Sequence, residues 1–374
     1  MHVVLWLSFL AGCRAVDPFQ AVRARIALEL KNGAPSIAIA VAHRNRIVWD
    51  EAFGWADRER AIAATPDTIY TIGSTFKPIT ATAIMVLRDR GLLDLDRPVN
   101  DYLGNARLSA RVGQVSNATV RRLAQHVAGL PNYYETFYAD ESTIPPSVDE
   151  IIRLYAQTTN PPGERFRYSN LDYVVLGAII SHVSGKPYAQ FLYDEIFLPL
   201  GMKNSHVATT CAPVRGRATR YLANGARLPD YVTSCTAAAD VEASVLDLVG
   251  FGMMHLKTPS SPSAFVLSRQ AIDEMQQSTV AMSEDRYGIG WVVRTDAKGR
   301  CRVAHGGAGI DAQLTVIPDE DVVVAVLINA FMDRHLAGEI ADLALDSLFG
   351  EAAPSPTTPR ARTSRGTCIS SPTF

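Results

Sequence analysis

Ser74 and Lys77 stand three residues apart in Ile72-Gly73-Ser74-Thr75-Phe76-Lys77, where a strand-like segment turns into a helix. On a helix that spacing puts both side chains on one face, with the ammonium able to reach the hydroxyl. A serine hydroxyl is a poor nucleophile until a base removes its proton, and a desolvated lysine with a lowered pKa can do that. At a helix N-terminus the serine also gains a favourable dipole and free backbone N–H groups for a developing oxyanion. Pro78 fits only the first turn of a helix, so the helix must start close to Ser74. The chemistry open to this pair is attack by an activated serine. Three further segments carry reactive or glycine-rich text. Tyr168-Ser169-Asn170 follows the Pro-Pro-Gly turn at 161–163 and precedes a helix, Gly288-Ile289-Gly290-Trp291 heralds a strand, and His305-Gly306-Gly307 lies on or beside another. Taken singly, each also reads plainly, as a surface aromatic, a helix cap, a strand residue or a turn.

The hydrophobic pattern around these segments predicts the elements that must hold them. Residues 20–31 have helical periodicity through Val22, Ile26, Leu28 and Leu30, and residues 36–42 and 46–53 read as two strands about a polar turn. A strong helix over 75–91 stops at Gly91. Further helical segments are expected at 119–127, 148–157, 171–185, 188–197 and 243–256. The pattern then returns to strands at Tyr287–Arg294, Arg302–His305, Ala312–Ile317 and Asp321–Asn329, and closes with an amphipathic helix from about Arg334 to Leu348. Strands at both ends around a long helical insert predict one sheet assembled from the two termini, covered by the terminal helices, with the insert as a mainly helical lobe. A cleft between the two is a natural place for a site.

The chain has 374 residues, 47% hydrophobic and 20% charged, ordinary values for a globular protein. Lys and Arg number 36 against 38 Asp and Glu, which argues against a nucleic-acid partner. No run approaches the roughly 20 apolar residues of a spanning helix. Val3–Leu10 is an apolar run of signal-peptide length, and Leu10-Ala11-Gly12-Cys13 resembles a bacterial lipobox. Residues 1–18 are therefore expected to be a signal or lipoprotein-type segment, with export and a lipid anchor at Cys13, or else a plain apolar start. Cys13, Cys211, Cys235, Cys301 and Cys368 form no C-x-x-C pair, and no metal-ligand spacing or cofactor motif occurs. Free thiols are the default, although Cys211 and Cys235 could pair in an exported protein. Residues 351–374, rich in Ser, Thr, Pro and Arg, are expected to be a disordered tail.

Together the segments resemble the superfamily of serine β-lactamases, DD-peptidases and family VIII esterases, most closely its class C-like branch. Ser74 and Lys77 match S-x-x-K, Tyr168 and Asn170 match Y-x-N, and His305 to Gly307 match the third motif. Gln125-His126-Val127-Ala128-Gly129-Leu130-Pro131, Phe197-Leu198-Pro199-Leu200-Gly201-Met202 and Tyr287-Gly288-Ile289-Gly290-Trp291 add to the likeness, which spans roughly residues 20–350 in order. The implied fold class is α/β (α+β): a β-lactamase-like fold over 19–350, its antiparallel sheet built from both termini and flanked by helices, with a helical lobe at about 92–285. The resemblance implies acylation of Ser74, proton traffic shared by Lys77 and Tyr168, and Asn170 holding the lysine or the substrate amide. It implies an oxyanion hole from the N–H groups of Ser74 and Ala308, with Gly306 and Gly307 letting substrate approach their strand. His126 is expected to order the turn before Gly129, and Asn132 and Tyr133 fall where the family lines its pocket wall.

His305-Gly306-Gly307 stands where relatives carry K-T-G. An imidazole of ordinary pKa, about 6.5, is mostly neutral at pH 7 and attracts a substrate carboxylate weakly. The expectation is efficient hydrolysis of uncharged short-chain esters and poor β-lactam turnover, with carboxylate-bearing substrates gaining as pH falls through the His305 pKa. Small esters, D-amino acid peptides and β-lactams remain the competing small-molecule substrates. The alternative is a non-catalytic receptor of the same fold that binds penicillin or wall fragments.

Overall fold

Ser36–His43 and Val322–Ile328 are nearly unbroken apolar runs, and they pair side by side at the centre of a sheet covered on both faces. The computed structural model describes residues 17–139, 144–258, 266–277, 279–307 and 310–350. The segment expected to carry a signal and Cys13, apart from residues 17 and 18, and the expected 351–374 tail lie outside the described residues, as does Ala308.

The main sheet contains β1 (Ser36–His43), β2 (Arg46–Asp57), β3 (Ile62–Ala63), β4 (Val280–Met282), β5 (Asp285–Tyr287), β6 (Val292–Thr295), β7 (Cys301–Gly307), β8 (Ala312–Ile317) and β9 (Val322–Ile328). Their order across the sheet is β4-β5-β6-β7-β8-β9-β1-β2-β3. Each of these neighbours pairs antiparallel, and the β9–β1 pairing, with Ala40 opposite Ala325, joins the two ends of the chain. This is the β-lactamase-like architecture expected, with the sheet assembled from both termini.

Period-two alternation survives inside the apolar runs, because side chains alternate faces along a strand. Ala38, Ala40 and Ala42 of β1 join Val323, Ala325 and Leu327 of β9 in the core on one face. Ile37, Ile39 and Val41 join Val322, Val324, Val326 and Ile328 on the other. That second face is covered by α1 (Gln20–Lys31) and α5 (Leu336–Leu348). The first packs on α4 (Val245–Met254), and the same core continues through α2 (Lys77–Asp89) and α3 (Asn170–Ser184). Small residues let that layer approach: a Cβ on Gly252 of α4 would lie 2.4 Å from a methyl of Val323.

α2 is buried from Lys77 to Leu87, so it is the shared core of sheet and helical insert and not a surface helix. The insert is mainly helical, as expected. It is also stitched to the Ser74 segment by a small sheet, in which Val241–Ala243 pairs with Tyr70–Thr71 and with His206–Val207. Cys211, Cys235 and Cys301 are free thiols. Cys211 Sγ faces the Phe137 carbonyl at 3.7 Å and Cys235 Sγ the Tyr133 carbonyl at 3.1 Å, so no bridge joins 211 and 235.

One expected strand, Tyr287–Arg294, is broken in two. Gly288 to Trp291 leave the ladder between β5 and β6, because Gly290 adopts φ +80° and presses on the start of α2. A Cβ there would meet Ala81 Cβ at 2.6 Å and Pro78 Cα at 3.2 Å. Gly299 has a similar φ of +82° with open space around it. The left-handed backbone alone costs a non-glycine roughly 1–2 kcal/mol, and overpacking adds about 1–3 kcal/mol. Gly290→Ala should therefore lower the urea unfolding midpoint clearly more than Gly299→Ala. Equal losses would show that the contact with α2 contributes nothing.

Candidate active site

Ser74 sits in a short 3-10 turn, Gly73–Phe76, that runs straight into α2. Gly73 allows the turn with φ +51°, and Pro78 falls in the first turn of α2, where a missing N–H is harmless. Ser74 is half-buried, whereas Lys77 is 0% exposed. The lysine Nζ donates to Ser74 Oγ at 3.0 Å, to Asn170 Oδ1 at 2.8 Å and to the Ala238 carbonyl at 3.2 Å. Three acceptors satisfy its three protons, but burial still disfavours the charged form. Desolvation pushes the Lys77 pKa down to about 7. Near neutrality it can therefore be a free amine, the form a base requires.

Tyr168 also reaches the nucleophile, its phenol donating to Ser74 Oγ at 2.8 Å. Burial raises the phenol pKa, so Tyr168 stays a neutral donor. The Tyr168-Ser169-Asn170 turn is fixed by its own caps. Ser169 Oγ accepts from the Asp172 N–H and donates to the Pro131 carbonyl, and Asn132 Oδ1 accepts from the Asn170 N–H at 2.8 Å. Asn132, expected in the pocket wall, thus holds the first turn of α3. Tyr133 stacks on Tyr155 with ring centroids 4.1 Å apart and donates to Glu135.

The third segment lies on β7 beside the nucleophile's turn. Gly307 must be glycine because a Cβ would lie 2.5 Å from the Ile72 carbonyl oxygen and 3.2 Å from Thr75 Oγ1. Gly306 faces the other side, where a Cβ would meet His335 Nε2 at 2.8 Å. Both glycines therefore answer to protein packing, in addition to any approach of substrate. His305 is 5% exposed. Its Nδ1 lies 2.9 Å from the Gly306 carbonyl, which only accepts, so the ring proton is on Nδ1 and Nε2 accepts from Tyr287 OH at 3.1 Å. Burial first, and then the Lys77 charge, push its pKa down to about 3. The expectation that His305 titrates near neutrality and reads substrate charge is thereby corrected: the ring is buried, doubly engaged and neutral across the physiological range.

The model of the family described as Beta-lactamase matches residues 14–348. The chain belongs to the β-lactamase family. Among curated relatives, Protein flp of Staphylococcus aureus (strain MW2) is 24% identical over 322 residues, which are 84% of this chain and 63% of that protein, so the chain spans under two thirds of that relative. The octameric penicillin-binding protein homologue from Pyrococcus abyssi superposes with a TM-score of 0.75 at 28% identity, covering 88% of this chain and 77% of the other. EstCE1, a hydrolase with promiscuous acyltransferase activity, gives a TM-score of 0.76 at 21% identity over 89% of this chain and 98% of the other, a likeness of fold.

Of the residues singled out in the sequence, the structure brings Ser74, Lys77, Tyr168 and Asn170 into one hydrogen-bonded cluster and sets Gly307 against the turn that carries Ser74. Sequence reasoning missed the Ala238 carbonyl and the aromatic floor. Lys77 Nζ lies over the rings of Tyr168 and Tyr173, 4.8 and 5.4 Å from their centroids. The helical run after Tyr168 could have flagged Tyr173, five residues on, but a carbonyl leaves no mark in residue type.

Because Lys77 must lose its proton to act as a base, reactivity at Ser74 should rise with pH and level off above about 7. Asp240 is held at about 7 by burial as well, but it accepts from Thr233 and not from Lys77. The rate of Ser74 labelling by an uncharged fluorophosphonate should show one such limb, unmoved in Asp240→Asn and absent in Lys77→Ala. A limb that vanishes with Asp240 would transfer the titration to that carboxyl.

Proposed function

We propose that the protein hydrolyses small uncharged esters or amides through an acyl-enzyme on Ser74. The observation that carries this reading is the double engagement of one hydroxyl: Ser74 Oγ lies 3.0 Å from Lys77 Nζ and 2.8 Å from Tyr168 OH. A merely structural serine has no need of both a depressed amine and a neutral phenol. Lys77, as free amine, takes the Ser74 proton while Oγ bonds to the substrate carbonyl carbon. The negative charge on the carbonyl oxygen meets the Ser74 N–H at the start of the turn; the second donor expected from the family resemblance, the Ala308 N–H, lies outside the described residues. Tyr168 gives its proton to the leaving oxygen or nitrogen as that bond breaks, and the Lys77 ammonium restores it. Water then attacks the ester on Ser74 by the same path in reverse, releasing the acid. Asn170 holds the amine in line throughout.

The preference for uncharged substrates rests on His305. A lysine at that position would set a permanent cation beside the site, whereas this imidazole is neutral and has both nitrogens occupied. EstCE1, a hydrolase with promiscuous acyltransferase activity, shares the fold. The receptor alternative would keep Ser74 acylated, because it predicts no deacylation.

Intact-mass and peptide mass spectrometry after fluorophosphonate treatment should place the adduct on Ser74; an adduct on Ser169 or Ser184 would overturn the assignment. With a chromogenic short-chain ester, Lys77→Ala and Tyr168→Phe should each lose at least about 10²-fold in kcat, and the double mutant little more, since both serve one proton path. The ratio of kcat/KM for a β-lactam and the neutral ester should be small and flat from pH 5.5 to 8.5. A ratio that climbs as pH falls would mean that His305 does titrate against the substrate.

A further inference from the structure

Beneath Tyr168 lies a second buried pair that the steps above do not use. His126 is 0% and Asp172 1% exposed, and His126 Nδ1 lies 2.9 Å from Asp172 Oδ2. The same Nδ1 receives the backbone N–H of Ser169 at 3.2 Å. A backbone N–H can only donate, so Nδ1 presents its one lone pair, shared between the Ser169 N–H and a proton carried by Asp172; the ring proton is then on Nε2, which is buried without a hydrogen-bond partner. The other carboxyl oxygen, Asp172 Oδ1, is buried without a hydrogen-bond partner. That is costly for a carboxylate and tolerable for the carbonyl oxygen of an acid. Burial favours the same forms, pushing Asp172 up and His126 down.

His126 also grips the chain on both sides of Tyr168. Its carbonyl accepts from the Arg167 N–H at 2.7 Å while its ring accepts from Ser169, and its own backbone is held at φ +58°, a conformation that costs a non-glycine residue. The imidazole packs against the Tyr168 ring with centroids 4.5 Å apart. The titratable groups facing the pair are Lys77 from α2, Tyr168, Tyr173 from α3, Tyr287 from β5 and His305 from β7.

We propose that Asp172 is a neutral carboxylic acid donating to a neutral His126, and that this pair positions Tyr168 for its hydrogen bond to Ser74 while giving Lys77 no counter-charge. The positioning role rests on the acyl-serine reading; the protonation state does not. An ionised Asp172 would instead stabilise the Lys77 ammonium and move its titration upward.

Two readouts on the full chain separate these claims. Infrared difference spectra between parent and Asp172→Asn, at pH 5.5 to 8.5, should show a protonated-carboxyl C=O band lost in the variant, and ¹⁵N spectra should show His126 as the neutral Nε2–H tautomer throughout. These need no turnover, so they stand even if no substrate is found; a missing band, or an imidazolium at residue 126, overturns the neutral pair. With the chromogenic ester, Asp172→Asn, whose amide N–H can still donate to Nδ1, should keep kcat within about threefold and leave the acid limb in place. A limb shifted down by half a pH unit or more would show that Asp172 carries charge. His126→Phe, which keeps a ring but loses the acceptor, should lower kcat about 10- to 100-fold with little change in KM. In a Tyr168→Phe background the same change should cost less than threefold. Full additivity would overturn the positioning role, and an Asp172→Asn protein as impaired as His126→Phe would overturn the isosteric argument without touching Ser74 labelling.

Discussion

Burying a lysine amine is the constraint on which the rest of this structure depends. Lys77 sits on the first turn of a helix whose residues are buried through Leu87, so its charge has no route to water. Such a group is tolerable only where acceptors meet it. Here they come from distant parts of the chain: Ser74 beside it, Asn170 at the head of α3, and the Ala238 carbonyl from the segment that follows Cys235. The fold is, in this sense, a device for delivering three oxygens to one nitrogen. The delivery succeeds well enough to hold the lysine and poorly enough to leave its pKa near 7. That incomplete compensation leaves the amine free of its proton near neutrality, as the proposed base must be.

Close approach is the second requirement, and it is met by residues with little or no side chain. Alanines on one face of β1 and Gly252 on α4 let the helical layer settle on the sheet. Gly290 lets the turn between β5 and β6 touch Pro78 and Ala81, and Gly307 lets β7 lie against Ile72 and Thr75. The last two contacts clamp the start of α2 from two sides, which fixes where Ser74 and Lys77 point. Rigid support of this kind is what a positioned nucleophile needs, since displacement of about 1 Å can cost orders of magnitude in rate.

Much of this was legible in the sequence because it is local. An i, i+3 spacing with a following proline specifies that Ser74 and Lys77 share a helical start whatever the tertiary context, and alternating strands at both termini specify how the sheet must close. What stayed hidden was set by contacts across the fold. Tyr287–Arg294 reads as one strand because Trp291, Val292 and Val293 are good strand residues; only the nearness of Ala81 shows why Gly290 breaks it. His305 reads as an exposed strand residue, and its burial follows from Tyr287, two strands away. His126 reads as a turn residue and Asp172 as an acid in the first turn of a helix, each complete without the other. Their 46-residue separation conceals that they share one hydrogen bond.

The neighbours of Lys77 share one property, which is neutrality. Tyr168 and Tyr173 are phenols whose pKa burial raises, and His126 and His305 are imidazoles whose pKa burial lowers. A chain with lysine at position 305 could depress Lys77 by repulsion between cations. This one cannot, and the lowering of Lys77 comes from desolvation alone. The aromatic floor of Tyr168 and Tyr173 therefore has an electrostatic task as well as a packing one. By excluding water beneath the amine, it lowers the Lys77 pKa without a second cation beside it.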